Sequence, residues 1–79
     1  MKLQEMRRER GMSQKKLATE AGINVRTLQC YEQGAKNFNR ARIDTILKCA
    51  IALDCKINEI LDDDECLNLL FIYQKRREK

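Results

Sequence analysis

Residues 13–34, SQKKLATEAGINVRTLQCYEQG, decide the fold of this chain because they carry the start and stop signals of two short helices. Ser13 is a good N-cap for the first helix, and Gly22 ends it because glycine takes a positive φ without penalty. Asn24 caps the second helix, which ends at Gly34. The stretch therefore predicts two helices that meet across a short turn, with the N-terminal residues of the second pointing away from the body of the domain.

Apolar residues at helical spacing continue on both sides of this stretch, and no alternating strand pattern interrupts them. The sequence therefore predicts an all-α fold, with a basic loop over residues 35–41. The apolar stripe that we expect to face the core in the fourth helix consists of Ile43, Ile46, Leu47, Ala50 and Leu53. The five predicted helices cover residues 2–10, 14–21, 25–33, 42–53 and 57–62.

Residues 62–79 differ in character from the rest of the chain. An acidic run from Asp62 to Glu65 suits the first turn of a helix, where the helix dipole favours anions. The basic end of the segment consists of Lys75, Arg76, Arg77 and Lys79. The residues between are apolar nearly all round, which fits a further helix, or a short strand at 71–73 that pairs across a dimer. We therefore expect one domain over 1–61 and a C-terminal extension, helical or extended, over 62–79.

The composition argues against an enzyme and against a bound cofactor. The 79 residues include no His and only three Gly, and they contain no glycine-rich phosphate-binding motif. The cysteines lack CxxC spacing, so no metal site is expected, and no apolar run approaches the roughly 20 residues that span a bilayer. No secretory signal is recognisable at the start. We therefore expect a cytoplasmic protein without a membrane segment, whose cysteines are reduced and mostly buried. They are Cys30, Cys49, Cys55 and Cys66.

Positive charge is concentrated in the first half of the chain. The whole chain has a formal charge of +4, whereas residues 1–42 carry ten basic and four acidic side chains. An excess of this kind favours a polyanion as the partner of this half. A solvated basic surface without a partner would have the same composition.

The stretch from Ser13 to Gly34 closely resembles the phage-repressor and Cro-like (XRE-type) helix-turn-helix DNA-binding family. The matching positions are Ser13, Gln14, Leu17, Ala18, Gly22, Ile23, Asn24, Thr27, Leu28, Tyr31, Glu32 and Gly34. The resemblance covers residues 2–61 and departs at Asp54 and Lys56, where the family usually has a glycine and a Ser or Thr cap. It implies a five-helix lambda-repressor-like domain, double-stranded DNA as the partner, and a bacterial or phage-like protein associated with the nucleoid.

The resemblance also implies roles for individual residues. The structural arginine–glutamate pair of the family corresponds to Arg7 and Glu32. The helix over 25–33 corresponds to the recognition helix in the major groove, where Arg26 could hold the O6 and N7 atoms of guanine or clamp a phosphate. The residues expected to contact bases are Val25, Arg26, Gln29 and Cys30. The residues expected to contact phosphates are Gln14, Asn24, Thr27, Lys36, Asn37 and Arg40.

The leading hypothesis is a sequence-specific transcriptional regulator, acting as a repressor, that binds DNA as a homodimer. The expected dimer contacts are Leu67, Leu70, Phe71 and Tyr73. A second hypothesis is an antitoxin-like or accessory module that keeps the helix-turn-helix as a scaffold and docks a protein partner through the C-terminal segment. A third is a redox or metal sensor, in which oxidation of Cys30 on the recognition helix would release DNA.

Overall fold

The computed structural model describes residues 1–77, and in this part of the chain it contains helices and no strand. The all-α prediction is confirmed. The five α-helices are α1 (Lys2–Glu9), α2 (Gln14–Ala21), α3 (Val25–Gln33), α4 (Ile43–Leu53) and α5 (Asp64–Arg77). Two single 3-10 turns lie between them, at Phe38–Arg40 and at Ile57–Glu59.

The helix starts and stops predicted for α2 and α3 are confirmed. The Ser13 hydroxyl accepts a hydrogen bond from the Lys16 N–H at 3.0 Å, and the Asn24 side-chain oxygen accepts one from the Arg26 N–H at 2.7 Å. Gly22, between the two helices, has a φ of 70°, which a residue with a Cβ atom rarely adopts. Local capping therefore fixes both helices and the turn that joins them.

The core lies where α2 packs against both α3 and α4. Leu17 of α2 and Leu28 of α3 are fully buried, and Ala18, which is small, is almost fully buried with them. Phe38 is also buried, although it lies in the segment predicted as a basic loop, and its ring meets that of Tyr31 edge-on at 5.2 Å. One aromatic side chain thus anchors the segment that follows α3.

The buried face of α4 differs from the predicted one. The buried residues of α4 are Ile46, Cys49, Ala50 and Leu53. Ile43 and Leu47, which we expected in the core, are 65% and 41% exposed. Successive helical residues are about 100° apart, so burying Cys49 in place of these two side chains rotates the inner face of α4 toward the side that α2 covers.

The prediction of a helix over 57–62 is wrong in type and length, since the structure has only the 3-10 turn Ile57–Glu59 there. Lys56 precedes this turn and has no side-chain oxygen with which to cap it. The Glu59 carboxylate does accept a hydrogen bond from the Lys56 N–H at 2.8 Å, which supports one turn only. The apolar residues that follow the turn, Ile60 and Leu61, are buried as core residues.

The C-terminal segment forms a helix, α5, and the strand alternative is wrong for the described residues. Asp63 accepts a hydrogen bond from the Cys66 N–H at 3.0 Å, and acidic residues occupy the first turn of the helix. Basic residues occupy its last turn, and Lys79 lies outside the described residues. Neither α5 nor any other helix over residues 1–77 is both long and apolar enough to cross a membrane.

Of the four cysteines, all of which are free thiols, only Cys49 is buried. Cys30, Cys55 and Cys66 are half-buried, so the expectation of mostly buried cysteines is wrong for three of them. Burial raises the pKa of the Cys49 thiol to about 11, and the neighbouring Cys55 adds to this shift. Cys49 therefore acts as a small apolar core residue.

A buried ion pair connects α1 with α3. The Arg7 Nε and Nη2 atoms donate to the two carboxylate oxygens of Glu32 at 2.8 and 2.9 Å, and the side chains are only 10% and 1% exposed. Arg7 Nη1 donates to the Met12 carbonyl at 2.7 Å. The side-chain amides of Gln4 and Gln14 donate to the same carboxylate at 3.2 and 3.0 Å. Glu32 is therefore bonded to side chains of both α1 and α2.

These contacts control the ionisation of Glu32. Burial by itself raises the pKa of this carboxyl, but the hydrogen bonds from Arg7 and Gln14, together with the Arg7 charge, outweigh burial and lower the pKa below its ordinary value. Glu32 therefore stays ionised at neutral pH and keeps its counter-ion.

The end of α4 is held by a strained residue and by Arg10, the residue that follows α1. Asp54, the C-cap, has a φ of 50°, the left-handed conformation that favours glycine. The Arg10 guanidinium donates to the carbonyls of Leu53 and Asp54 at 2.8 and 3.3 Å, so it satisfies acceptors that the end of the helix leaves open. The helix therefore stops where the family usually has glycine, although no glycine is present.

Replacing Arg7 by Met should remove about 3–5 kcal/mol from the free energy of unfolding at pH 7, because it leaves the Glu32 carboxylate buried without its counter-ion. The Glu32 pKa is depressed in the folded protein, so the contribution of the pair is complete above the ordinary pKa of 4.5 and is lost as the pH falls through the lower folded value. The deficit of the variant in urea unfolding should therefore shrink below about pH 4.5.

Arg8→Met is the matched control, since Arg8 is an exposed residue of the same helix, and it should change stability by less than about 0.5 kcal/mol. Arg7→Lys should give an intermediate loss, because lysine keeps the charge but not the two-point geometry. A deficit of Arg7→Met that is the same at pH 3.5 and pH 7 would contradict this account.

Replacing Asp54 by Gly should stabilise the protein by about 0.5–1 kcal/mol in urea unfolding, because glycine adopts the left-handed conformation without a Cβ clash. Asp54→Ala separates the backbone effect from the charge, since it removes the carboxylate but keeps the Cβ atom. The alanine variant should gain less than the glycine variant, and equal gains would assign the effect to charge.

Candidate nucleic-acid interface

The first turn of α3 is presented to solvent. Leu28 and Tyr31 are buried and hold the inner face of α3 against the domain, whereas Val25 and Arg26 are exposed. Within residues 1–77, the Arg26 guanidinium takes part in no ion pair. The first turn of α3 therefore presents the planar guanidinium of Arg26, with five N–H donors, beside the small apolar side chain of Val25. The buried side of the helix holds both residues in place.

Asn24 and Thr27 lie beside these residues at the start of α3. The Asn24 side-chain oxygen is engaged as the helix cap, which leaves its amide nitrogen, a donor of two hydrogens, on the exposed side of the cap. Thr27 is half-buried. Both positions can supply hydrogen-bond donors next to the N-terminal end of α3, where the helix dipole favours anions.

Gln14 and Gln29 are brought together between α2 and α3. The Gln14 amide nitrogen donates to Glu32 at 3.0 Å, and the Gln29 amide nitrogen lies 3.5 Å from the Gln14 carbonyl oxygen, a long hydrogen bond. Because each amide nitrogen carries two hydrogens, Gln14 retains one donor for an external acceptor. Gln29 is half-buried, and its amide nitrogen is directed toward Gln14 of α2.

Cys30 lies in the later part of α3 and is half-buried. Its carbonyl accepts the N–H groups of Ala35 and Lys36 at 2.9 and 3.2 Å, which turns the chain at the end of the helix. Its thiol is a weak hydrogen-bond donor. The residue therefore contributes the shape of the surface and the path of the following loop more than polar recognition.

The segment after α3 presents polar and basic side chains from a fixed backbone. Lys36, Asn37 and Arg40 are exposed, and the buried Phe38 anchors the segment between them. The Asn37 side-chain oxygen accepts from the N–H of Asn39 at 3.0 Å and caps the 3-10 turn. This segment is therefore a rigid support for side chains that can meet phosphate oxygens.

The charge of this part of the surface is positive after pairing is taken into account. Its acidic residues are Glu20, which pairs with Lys16 at 3.1 Å on the surface, and Glu32, which Arg7 neutralises inside the protein. The exposed basic residues over 13–42 are Lys15, Lys16, Arg26, Lys36, Arg40 and Arg42, the last of which pairs with Asp44 at 3.3 Å. Burying Glu32 thus removes an anion from the field that an approaching polyanion meets.

Sequence reasoning missed two residues of this region. Asn39 and Phe38 lie in the 3-10 turn, one bonded to the start of α5 and the other in the core. The available signal was the pair Asn37 and Asn39, since asparagine side chains bond the backbone in turns, with an apolar residue, Phe38, between them.

The residues expected to form a dimer do not share one exposed face. Leu67 and Leu70 are half-buried, and Leu67 packs against the core. Phe71 and Tyr73 are exposed. Two further exposed apolar side chains of α5 were not in the predicted set, Leu69 and Ile72. Leu69, Ile72 and Tyr73 have the i, i+3, i+4 spacing of a single helix face.

Comparison with known proteins identifies the region that contains this surface. Residues 2–65 match the model of the Cro/C1-type HTH DNA-binding domain, which covers most of the chain and ends in the first turn of α5. No curated protein and no solved structure shows significant similarity to the chain. The matched region contains the predicted resemblance, residues 2–61, in full. The chain therefore belongs to the Cro/C1-type helix-turn-helix family of DNA-binding regulators.

Proposed function

We propose that this protein is a sequence-specific repressor that places α3 in the major groove of its operator. The observation that carries the proposal is the exposed first turn of α3, where Arg26 has no ion-pair partner within residues 1–77 while the opposite side of the helix is buried. A major groove admits an α-helix, and its base edges carry a distinct donor and acceptor pattern for each pair.

Arg26 is the proposed base reader. Its planar guanidinium matches the O6 and N7 acceptors of guanine, a contact that contributes about 1–3 kcal/mol of discrimination. Val25 beside it fits a thymine methyl group. Cys30 and Gln29 complete the proposed base contacts. They should contribute less to base discrimination than Arg26, because both are half-buried and Gln29 is directed toward Gln14.

Contacts to the phosphates would set the register of α3 on the duplex. The remaining donor of Gln14 and the amide of Asn24 lie at the starts of α2 and α3, which are suited to phosphate oxygens. Thr27 lies next to them, and the segment after α3 adds a second group. That group consists of Lys36, Asn37 and Arg40. Such contacts position the protein and make binding depend on salt, without reading sequence.

We further propose that the protein binds as a homodimer and that α5 forms the contact between the two copies. Leu69, Ile72 and Tyr73 form an exposed apolar face on a helix whose other side already packs on the domain. Phe71 flanks this face. In this division, residues 1–61 bind DNA and residues 62–79 join two copies, so that two α3 helices meet half-sites about one helical turn apart.

An antitoxin-like or accessory role remains the second candidate, and the exposed apolar face of α5 is the observation that favours it. In that case the face would cover a different protein, and the basic surface would bind DNA weakly and without base preference.

Repression follows in our proposal from the family resemblance, and transcription in vitro from a promoter that contains the recovered site should fall when the protein is added.

Selection from randomised duplexes at near-physiological salt should recover an inverted repeat, and Arg26→Ala should lose the preference at one base pair in each half-site. The loss of discrimination there should be about 1–3 kcal/mol per half-site. Arg8→Ala is the matched control, because it removes the same charge from an exposed site on α1. Recovery of no motif, with binding that disappears as salt rises, would contradict base reading and favour the accessory role.

Ile72→Glu should shift the protein from dimer to monomer in sedimentation velocity, raising the dimer dissociation constant at least about tenfold, because it buries a charge in an apolar contact. Ile51→Glu is the matched control, since Ile51 is 78% exposed on α4 and the substitution is the same. A dimer that survives Ile72→Glu and dissociates with Ile51→Glu would move the interface to α4.

A further inference from the structure

Asn39 connects the segment that follows α3 with the start of α5. Its side-chain oxygen accepts from the backbone N–H groups of Asp62 and Asp63 at 2.9 and 3.1 Å. Its amide nitrogen donates to the Asp62 carboxylate at 2.7 Å and to the Asn37 side-chain oxygen at 3.1 Å. Both ends of one carboxamide are therefore bonded, and three of these four bonds cross to the residues that begin α5.

The same junction contains further hydrogen bonds. The Cys66 thiol lies 3.8 Å from the Asn39 carbonyl, and Asp63, whose N–H bonds Asn39, caps α5 through Cys66. The backbone N–H of Lys2 donates to the other oxygen of Asp62 at 3.3 Å. The hydrogen bond from Asn39 also holds the pKa of Asp62 below its ordinary value, so this carboxylate is ionised at neutral pH. The Asp62 carboxylate, just before α5, thus accepts hydrogen bonds both from the start of α1 and from the turn at Phe38–Arg40.

Asn39 lies close in the chain to residues that we propose contact the DNA phosphates. Asn37 and Arg40, two of the proposed phosphate contacts, lie within two residues of Asn39 in the chain, and Asn37 is also bonded to it. On the other side of the turn, Phe38 is fixed in the core. The orientation of the turn is therefore set by two supports, one in the core and one at α5.

We propose that Asn39 is a positioning residue that transmits the placement of α5 to the phosphate-contacting segment, so that the arrangement of the two copies at α5 determines how Arg40 and Asn37 meet the DNA backbone. This inference rests on the proposed DNA-binding dimer. Asn39 does not itself contact DNA in this account. Its role is to keep the turn and the start of α5 in one fixed arrangement.

The hydrogen bonds between Asn39 and Asp62 are exposed to solvent, and the bond from the Asp63 N–H to Asn39 is only part-buried. When the carboxamide is removed, water can replace it at the N–H groups of Asp62 and Asp63, so the domain should stay folded. The loss would then appear as motion at the junction and as weaker phosphate contacts. It would not appear as unfolding, which allows a positioning role to be separated from a merely structural one.

The first arm of the test needs no DNA. In Asn39→Ala the amide hydrogens of Asp62 and Asp63 should exchange with solvent several-fold faster than in the wild type, whereas those of Leu17 and Leu28 in the core should keep their rates. Asn68→Ala, at an exposed asparagine on α5, is the matched control and should change neither set. Unchanged exchange at Asp62 and Asp63 in Asn39→Ala would overturn the proposed junction.

The second arm measures binding of the full chain to its selected duplex over a range of salt concentrations. Asn39→Ala should bind about five- to tenfold more weakly, and the slope of log K against log salt should fall in magnitude by about 1 per lost phosphate contact. The base preference assigned to Arg26 should be unchanged. Wild-type affinity and slope in a variant whose junction exchanges faster would overturn the coupling.

A charge-preserving exchange of the two side chains provides the rescue. Asn39→Asp alone places a second carboxylate against Asp62, and exchange at Asp62 and Asp63 should be faster than in the wild type. Adding Asp62→Asn restores one donor and one acceptor to the pair, and exchange should slow again. Failure of this rescue would contradict a direct contact between Asn39 and Asp62.

If the wild type binds no duplex with base preference, both the proposed function and the proposed coupling to DNA are wrong. The exchange rates of Asp62 and Asp63 would still test whether Asn39 holds the junction.

Discussion

One buried carboxylate, that of Glu32, determines how α3, the proposed recognition helix, is held. It lies near the C-terminal end of α3 and is bonded to Arg7 of α1 and to Gln14 of α2. A rigid α3 is needed for base reading, because the guanidinium of Arg26 must reach its base edge at a fixed distance and angle. The proposed base contact and the proposed phosphate contact at Gln14 are therefore placed by the same ion pair, which itself contacts no DNA in our account.

The parts of the fold that local chemistry determines could be predicted from the sequence. Ser13 and Asn24 are caps, and Gly22 is a left-handed stop, whatever the rest of the chain does, and so the bounds of α2 and α3 were predicted correctly. The exposure of Arg26 followed from the same two helices. The orientation of Gln29 did not, because it depends on the Gln14 side chain and therefore on the packing of α2 against α3.

Features set by contacts between distant segments were predicted less well. The apolar residues of α4 allow more than one inner face, and the packing of α4 on the elements around it, α2 among them, selects Cys49 over Leu47. Phe38 was not predicted as a core residue because its neighbours are polar, and its burial requires the pocket beside Tyr31. For α5, the pattern indicated an extra apolar face, but Leu67 and Leu70 could be separated from Tyr73 only once the helix was docked on the domain.

The buried thiol of Cys49 has a consequence for the covalent chemistry of the protein. Burial raises the pKa of this thiol to about 11, so it is protonated at pH 7, and the side chain is fully buried in the folded domain. Electrophiles can therefore reach Cys49 only when the packing around α4 opens, whereas Cys30, Cys55 and Cys66 are half-buried and partly accessible without such an opening. The rate at which Cys49 is alkylated therefore reports how often the core opens transiently.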